Sequence, residues 1–329
     1  MAEAADGLIE GLIVDGSRGI YRVETPEGDF TCTIRGRLRK ELVYGESRSA
    51  PQRVRQVNVK PHDPVAVGDR VRVLPTGGGS GVIEQVVARA GGGGAFARRD
   101  PDPKSGTLRT VAGLDQIVPV FATREPEPHL GLLDRMLVVA EAQRMAAIIC
   151  ITKLDLGLAP ELAARLAGYE RIGYPVVYTS AATGEGISEL HLRLAGKISA
   201  LVGKSGVGKS SLLNALLPDA GQRVSDVSGA TGKGRHTTTA TRLFALGGAD
   251  GGYLADTAGI RALGLERGVE DVLDECFPEF RPYLGTCASP GCEHTGEDGC
   301  AVRSAVGSGH ITAERYASYL RLREDWGDE

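Results

Sequence analysis

A chain of 329 residues has room for two or three domains at roughly 150 residues each. Hydrophobic residues make up 42% and charged residues 24%, which argues against wholesale disorder, and no run of about 18 apolar residues marks a membrane span. The 38 basic and 42 acidic side chains leave a net charge of −4, which excludes a polycation that grips nucleic acid by bulk charge. Contact with nucleic acid would need a local patch.

Met1-Ala2-Glu3-Ala4 lacks the basic start and apolar core of a signal peptide, so a cytoplasmic protein with no membrane attachment is expected. Residues 8–87 carry five short strand patterns, at 8–14, 18–24, 29–35, 65–74 and 81–87, separated by turns such as Asp15-Gly16 and Glu27-Gly28. Five short strands in that length suit a small β-barrel of the OB type, an architecture that often binds oligonucleotides. Between residues 35 and 60 lie Arg35, Arg37, Arg39, Lys40, Arg48, Arg53, Arg55 and Lys60, opposed only by Glu41 and Glu46. On a loop between barrel strands such side chains either neutralise phosphates or form an ordinary solvated surface. Gly91–Gly94 reads as a hinge that closes a first domain at residues 1–91.

A loop containing proline and arginine follows, to about residue 115, and then the pattern changes. Apolar strands at Ile117–Ala122, Ala146–Ile151, Pro175–Tyr178 and Ile198–Val202 alternate with helical patterns. These are the stripe Leu133, Met136, Leu137, Ala140, then residues 160–168, Ser188–Leu194 and Ser211–Leu217. Two further strands are expected near 240–246 and 252–255. Alternation of this kind predicts an α/β domain with a mostly parallel sheet, here residues 92–264. Residues 265–329 read as a third, helical domain interrupted by a cysteine cluster. The 46 glycines, about twice ordinary usage, point to loops, some of which bind phosphate.

Gly203-Lys204-Ser205-Gly206-Val207-Gly208-Lys209-Ser210 fits G-x-x-x-x-G-K-[ST], after a strand and before a helix as that motif requires. Its glycines let backbone N–H groups curl around phosphates, Lys209 offsets the β/γ charge and the Ser210 hydroxyl suits Mg²⁺. Such a loop does not choose between ATP and GTP; other segments do. Asp256-Thr257-Ala258-Gly259 ends a strand, where an aspartate can hold the Mg²⁺ shell and a glycine N–H can sense the γ-phosphate. Thr152-Lys153-Leu154-Asp155 ends another, where a carboxylate can accept the N1–H and N2–H of guanine, a donor pair adenine lacks. Ser180-Ala181 can present an N–H to the guanine O6. Each tetrapeptide is weak alone. Together, at the carboxyl ends of parallel strands, they predict a guanine-nucleotide site.

Cys287, Cys292, His294 and Cys300 supply three thiolates and one imidazole, a closed set suited to one structural Zn²⁺. Cys32, Cys150 and Cys276 fall on apolar stripes and read as core residues. His62, His129, His191 and His310 have no partner at metal spacing and read as surface residues.

The guanine motifs precede the phosphate loop, the reverse of ordinary GTPases and the order a circular permutation produces. In this respect the sequence resembles the circularly permuted ribosome small-subunit-dependent GTPases (the ribosome small-subunit-dependent GTPase A family). The resemblance rests on Thr152–Asp155, Gly203–Ser210, Gly234-Arg235-His236-Thr237-Thr238-Thr239, Asp256–Gly259 and the cysteine–histidine cluster. It implies an OB-like barrel, a permuted GTPase domain and a zinc-binding helical domain. It implies that Lys153 and Asp155 form the guanine pair and Gly203 to Ser211 the phosphate loop. Thr238 would be the switch threonine that closes on Mg²⁺ with Ser210, next to Thr237 and Thr239. Thr152 stands where most members have asparagine, and guanine selectivity is expected to survive with some loss of loop bracing.

The implied partners are GTP/GDP and the small ribosomal subunit with its rRNA, for a monomeric protein. The implied function is a GTPase switch in late subunit maturation, stimulated by the subunit. The alternatives are an RNA-binding module gated by nucleotide with negligible turnover, and a P-loop ATPase or kinase. Ile260 follows Gly259, where Ras-like GTPases place the water-orienting glutamine, so His236 in the switch segment becomes the candidate catalytic side chain beside Lys209 and Thr238.

Overall fold

The computed structural model describes residues 7–17, 19–44, 54–59, 65–87, 94–98, 109–218, 242–248, 251–255 and 269–327. It divides into two compact units: residues 1–114 with 233–245 and 253–260, and residues 115–232 with 246–252 and 261–329.

In the first unit, β1 (Ile9–Ser17), β2 (Ile20–Thr25) and β3 (Gly28–Ile34) form an antiparallel meander. A hairpin of β4 (Lys40–Tyr44) and β5 (Val54–Val59) follows, then β6 (Arg70–Gly77) and β7 (Ser80–Val86). β7 pairs parallel with β3 and β6 pairs with β1, closing the barrel in the order β1-β2-β3-β7-β6. This is the expected five-stranded barrel. Ile13, Val14, Val23, Cys32, Val71, Val73 and Ile83 are fully buried and fill it. Gly11 lets β1 and β2 approach closely: a methyl group there would lie 2.5 Å from a Val23 methyl carbon and 2.7 Å from the Glu24 carbonyl oxygen.

Two hairpins stand where loops were expected. The β4–β5 pair lies in the basic stretch, where the two polar residues Arg55 and Gln56 between Val54 and Val57 break the alternation that marks a strand. The second joins β8 (Gly94–Arg98) to β9 (Arg109–Leu114); its first strand is short and begins on the glycine run. Of the hinge Gly91–Gly94, residues 91–93 lie outside the described residues.

The second unit is built on a parallel sheet. β10 (Gln116–Ala122) pairs with the short β11 (Ala146–Ala147), with β12 (Ile149–Thr152) and with β14 (Ile198–Val202), and β12 pairs with β13 (Val176–Tyr178). Every residue of β10, β12 and β14 is buried, the pattern of parallel strands covered on both faces. The helices are α1 (Leu130–Ala142), α2 (Pro160–Ile172), α3 (Ile187–Leu194) and α4 (Lys209–Leu216). α1 buries Leu133, Met136, Leu137 and Ala140, the expected stripe. α2 opens on a proline, whose missing N–H is no loss in a first turn, and stops at Gly173 with φ 114°.

In the first unit, β15 (Leu243–Ala245) pairs antiparallel with β16 (Tyr253–Ala255), close to where strands were expected. Arg242 bonds Asp15 at 2.8 Å and the Tyr253 hydroxyl donates to Glu24 at 2.9 Å, which ties this hairpin to the barrel.

The C-terminal segment is less helical than its periodicity suggests. Residues 269–300 hold two short 3₁₀ turns, Glu270–Val272 and Arg281–Tyr283, and irregular turns. Among the described residues of this segment, α5 (Ala301–Gly307) and α6 (Ala313–Gly327) are the α-helices. Pro278, Pro282 and Pro290, with Gly285 and Gly291, interrupt any longer i→i−4 ladder. The apolar stripe nonetheless does its packing: Val269, Leu273, Cys276 and Phe277 are buried together, while Val272 remains 36% exposed. Phe277, Phe280 and Tyr319 meet at ring distances of 5.0–5.5 Å, in a cluster that includes Val138 of α1.

Beside this cluster the buried Arg315 guanidinium bridges Asp134 of α1 at 2.6 Å and Glu279 at 2.6 Å. Tyr169 and Ser318 also donate to Asp134. Cys32, Cys150 and Cys276 are buried as expected. Burial pushes their thiols up to about 11 for Cys32 and about 12 for the other two, so they stay protonated. No helix among the described residues is long and apolar enough to cross a membrane.

Candidate active site and metal centre

In the second unit, β12 and β13 lie on one side of β10 and β14 on the other, so strand order reverses between β10 and β14. Open parallel sheets bind ligands outside the carboxyl ends of the strands at such a reversal. The chain leaves those ends at Thr123, Lys153, Thr179 and Gly203.

Gly203 runs off β14 directly against β10: a methyl group there would lie 2.4 Å from the Val120 carbonyl oxygen. Gly206 and Gly208 have φ of 83° and 94°, a region that favours glycine. Val207 is buried and anchors the loop, while Lys204, Ser205, Gly206, Ser210 and Ser211 are exposed around it. Lys209 opens α4, and its ammonium donates to the carbonyls of Gly203 at 2.7 Å and Lys204 at 2.6 Å. Partial burial lowers its pKa. Phosphate oxygens entering this loop would offer the ammonium a better partner than two neutral carbonyls.

Thr152 ends β12, buried, and its hydroxyl donates to the Val207 carbonyl at 2.5 Å, with the Phe121 carbonyl 3.2 Å away. The threonine therefore does brace the phosphate loop. Lys153 follows in the left-handed region, φ 59°, and its ammonium donates to the Glu125 carbonyl. Leu154 starts a 3₁₀ turn, its N–H held by the Thr179 carbonyl at 3.1 Å. Asp155 is exposed, with one carboxylate oxygen accepting the Ser180 hydroxyl at 2.5 Å. The Ser180 N–H is taken by the Glu185 carbonyl at 3.0 Å, and Ala181 beside it is exposed. The structure thus brings Thr152–Asp155, Ser180, Ala181 and Gly203–Ser211 to one edge of one sheet. His236, Thr238, Asp256, Gly259 and Ile260 lie outside the described residues.

Sequence reasoning missed Thr123, whose hydroxyl donates to the Lys153 carbonyl at 2.9 Å, and the Glu125 carbonyl that receives Lys153. A signal existed: Thr123 directly follows the strand Ile117–Ala122, at the carboxyl end where parallel sheets place ligand groups.

Ligand atoms of Cys287, Cys292, His294 and Cys300 all lie within 4.8 Å of one another. His294 Nδ1 is 3.4 Å from Cys300 Sγ and 3.6 Å from Cys287 Sγ. A tetrahedral zinc ion, with arms of about 2.3 Å to sulfur and about 2.0 Å to nitrogen, sets that separation at roughly 3.5 Å, so the four donors fit. The Ala301 N–H points at Cys287 Sγ and the Arg303 N–H at Cys300 Sγ, at 3.3 and 3.4 Å. The Glu297 carboxylate accepts the N–H groups of Gly296, Thr295 and Glu293, closing the loop between ligands; these bonds, that from Gly296 foremost, hold its pKa down at about 2. His129 and His310 are exposed and His191 half-buried, away from this cluster; His62 lies outside the described residues.

A model of the RsgA GTPase family matches residues 96–266. The chain belongs to the RsgA GTPase family. A relative from Gemmatimonas aurantiaca, named small ribosomal subunit biogenesis GTPase RsgA, is 41% identical over 319 residues, 96% of each chain. One of the same name from Moorella thermoacetica is 38% identical over 95% of each chain. Among solved structures, YjeQ from Thermotoga maritima superposes with a TM-score of 0.72 at 32% identity, covering 97% of this chain and 98% of that one. YloQ, described as a circularly permuted GTPase, gives 0.69 at 25% identity and covers 99% and 98%. Membership in the RsgA GTPase family makes the protein a GTPase and accounts for the order in which its motifs run: the chain enters the sheet at β10 and reaches Gly203–Ser210 only after Thr152–Asp155 and Ser180-Ala181.

Proposed function

We propose that the protein hydrolyses GTP to GDP and phosphate as a switch in late maturation of the small ribosomal subunit, and that the subunit stimulates hydrolysis. Family membership supports the reaction, and the names of the relatives support the partner. The observation that carries the nucleotide choice is the Thr152–Asp155 turn, braced onto the phosphate loop through the Thr152 hydroxyl. In this reading Asp155 accepts the N1–H and N2–H of guanine, and the Ala181 N–H donates to O6. Gly203–Ser211 wraps the phosphates, with Lys209 leaving its carbonyl partners for the β/γ oxygens. Ser210, at the start of α4, and Thr238 would hold Mg²⁺, which neutralises phosphate charge when bound. Asp256 would support that shell, and the Gly259 N–H would sense the γ-phosphate. His236 takes the water-orienting role that Ile260 cannot fill.

The division of labour follows the three segments. The barrel at 1–91 meets rRNA through its basic stretch, 92–264 handles GTP, and 265–329 folds around one structural Zn²⁺ held by Cys287, Cys292, His294 and Cys300. The protein acts as a monomer in the cytoplasm, where its RNA partner resides.

Two measurements test this. Asp155→Asn is expected to weaken GDP and GTP binding more than about tenfold, because buried guanine donors lose their acceptor. Equal affinity of the unaltered protein for ATP and GTP would sink the guanine assignment. Turnover titrated with purified small subunits, beside co-sedimentation with a non-hydrolysable GTP analogue and with GDP, tests the switch. Faster turnover and tighter association in the GTP state are expected, and linkage requires subunits to tighten GTP binding by the same factor. Equal association in both states with unchanged turnover leaves only an RNA-binding module gated by nucleotide.

A further inference from the structure

His294 is held by its backbone from several sides. It sits at φ 59°, its carbonyl accepts the Tyr316 hydroxyl at 2.7 Å, and the preceding Glu293 carbonyl accepts the Tyr319 hydroxyl at 2.7 Å. Its ring is almost wholly buried, 6.5 Å from the ring of Tyr319. With the backbone pinned, the remaining choices are which ring nitrogen faces the thiols and which carries the proton. Nδ1 faces Cys300 and Cys287. Nε2 faces Oδ2 of Asp274 at 3.5 Å. The other oxygen of that carboxylate, Oδ1, accepts the Glu275 N–H at 2.9 Å, which fixes the side chain and leaves Oδ2 for the imidazole.

A neutral imidazole has one N–H and one lone pair, and a metal takes the lone pair. A carboxylate beside Nε2 stabilises the tautomer with the proton on Nε2, so that Nδ1 is left unprotonated toward the three cysteines. We infer that Asp274 is the positioning residue of the metal centre: it sets the tautomer and the ring orientation of His294, although it lies 13 residues before the first ligand in the chain. The centre then closes on more than its own loop. Through Asp274 it also secures the turn that delivers Leu273, Cys276 and Phe277 to the apolar cluster. A sequence search for ligand spacing does not find this residue, because an outer carboxylate obeys no spacing rule.

The inference rests on zinc filling the site, so metal analysis of the unaltered full-length protein comes first; a chain that takes up no zinc overturns that reading and the inference with it. Zinc affinity is then measured by competition with a chromophoric chelator. Asp274→Ala is expected to bind zinc about 10- to 100-fold more weakly, and Asp274→Asn, which keeps an acceptor but no charge, to lose less. A purely structural role is separated by NMR of the cobalt(II)-substituted protein. The exchangeable Nε2–H signal of His294 should be shifted in the Asn variant and lost to solvent exchange in the Ala variant. If the Ala variant does not fold by circular dichroism, the Asn variant decides. Zinc affinity equal to that of the unaltered chain, or weaker affinity with an unmoved Nε2–H signal, overturns the assignment.

Discussion

Replacing Arg315 with methionine is expected to destabilise the protein by about 3–5 kcal/mol, the usual result of removing one partner from a buried ion network. The guanidinium donates to Asp134 at 2.6 Å and to both oxygens of Glu279 at 2.6 and 3.3 Å, with all three side chains less than 10% exposed. It also lies 4.4 Å from the centre of the Phe277 ring. Burial alone would lower the pKa of Arg315, but the carboxylates of Glu279 and Asp134 outweigh it and drive the pKa upward. Methionine fills much of the same space and leaves two carboxylates uncompensated. Both carboxylates are nine-tenths or more buried, so solvent screens them little. At about 2–4 °C per kcal/mol for a unit of this size, the melting midpoint should fall by roughly 10 °C. The triple variant Arg315→Met, Asp134→Asn, Glu279→Gln should recover most of the loss, since no buried charge remains. Urea unfolding of the full chain measures both. A single-variant loss below about 1 kcal/mol, the range of exposed ion pairs, would show that the network is not desolvated in solution.

Removing the metal is the second large effect. One zinc per chain is expected by metal analysis, and its binding energy, about 10–16 kcal/mol in small zinc-binding peptides, is folding energy for the segment that holds it. Residues 287–300 contain no regular secondary structure to hold the four donors together otherwise. Chelation, or Cys292→Ser, should therefore release the loop and weaken the tyrosine contacts at the Glu293 and His294 carbonyls. Amide exchange should accelerate across 287–327. Nucleotide binding should persist, because the loop Gly203–Ser210 is braced by the Thr152 hydroxyl and makes none of these contacts. Metal-free protein with unchanged exchange protection in α5 and α6 would refute the expectation. Loss of nucleotide binding in step with the metal would show that the shared core at Val138 couples the two sites.

Much of the second unit was legible in the sequence for one reason: the segments expected to carry its chemistry are short and contiguous. A glycine-rich loop between a strand and a helix, or a carboxylate three residues past a strand end, is a local object, and its residues need only one another's spacing to be recognised. The apolar strands were legible as well, since burial on both faces leaves an uninterrupted run, and β10, β12 and β14 are buried at every position. The barrel could be read from alternation, as Cys32 between the exposed Thr31 and Thr33 illustrates.

Other features were decided by tertiary structure alone. In 269–277 the helical period picked out the buried Val269, Leu273, Cys276 and Phe277 but also the exposed Val272, and prolines and glycines downstream gave the backbone 3₁₀ and irregular turns, so burial period and hydrogen-bond pattern parted company. The β4–β5 and β8–β9 pairs depend on contacts between separate segments, which charge-rich or glycine-led strands announce poorly. The contacts that make the sites work join residues far apart in the chain: Thr152 braces Val207 across 55 residues, and Arg315 reaches Asp134 across 181. The sequence by itself determined which groups the chain carries and where the segments proposed for phosphate, guanine and metal begin. Only packing decided which carbonyl receives the Thr152 hydroxyl, which carboxylate faces His294 and which buried charges share Arg315. A hydrogen bond depends on distance and direction in space, and neither is recorded in spacing along the chain.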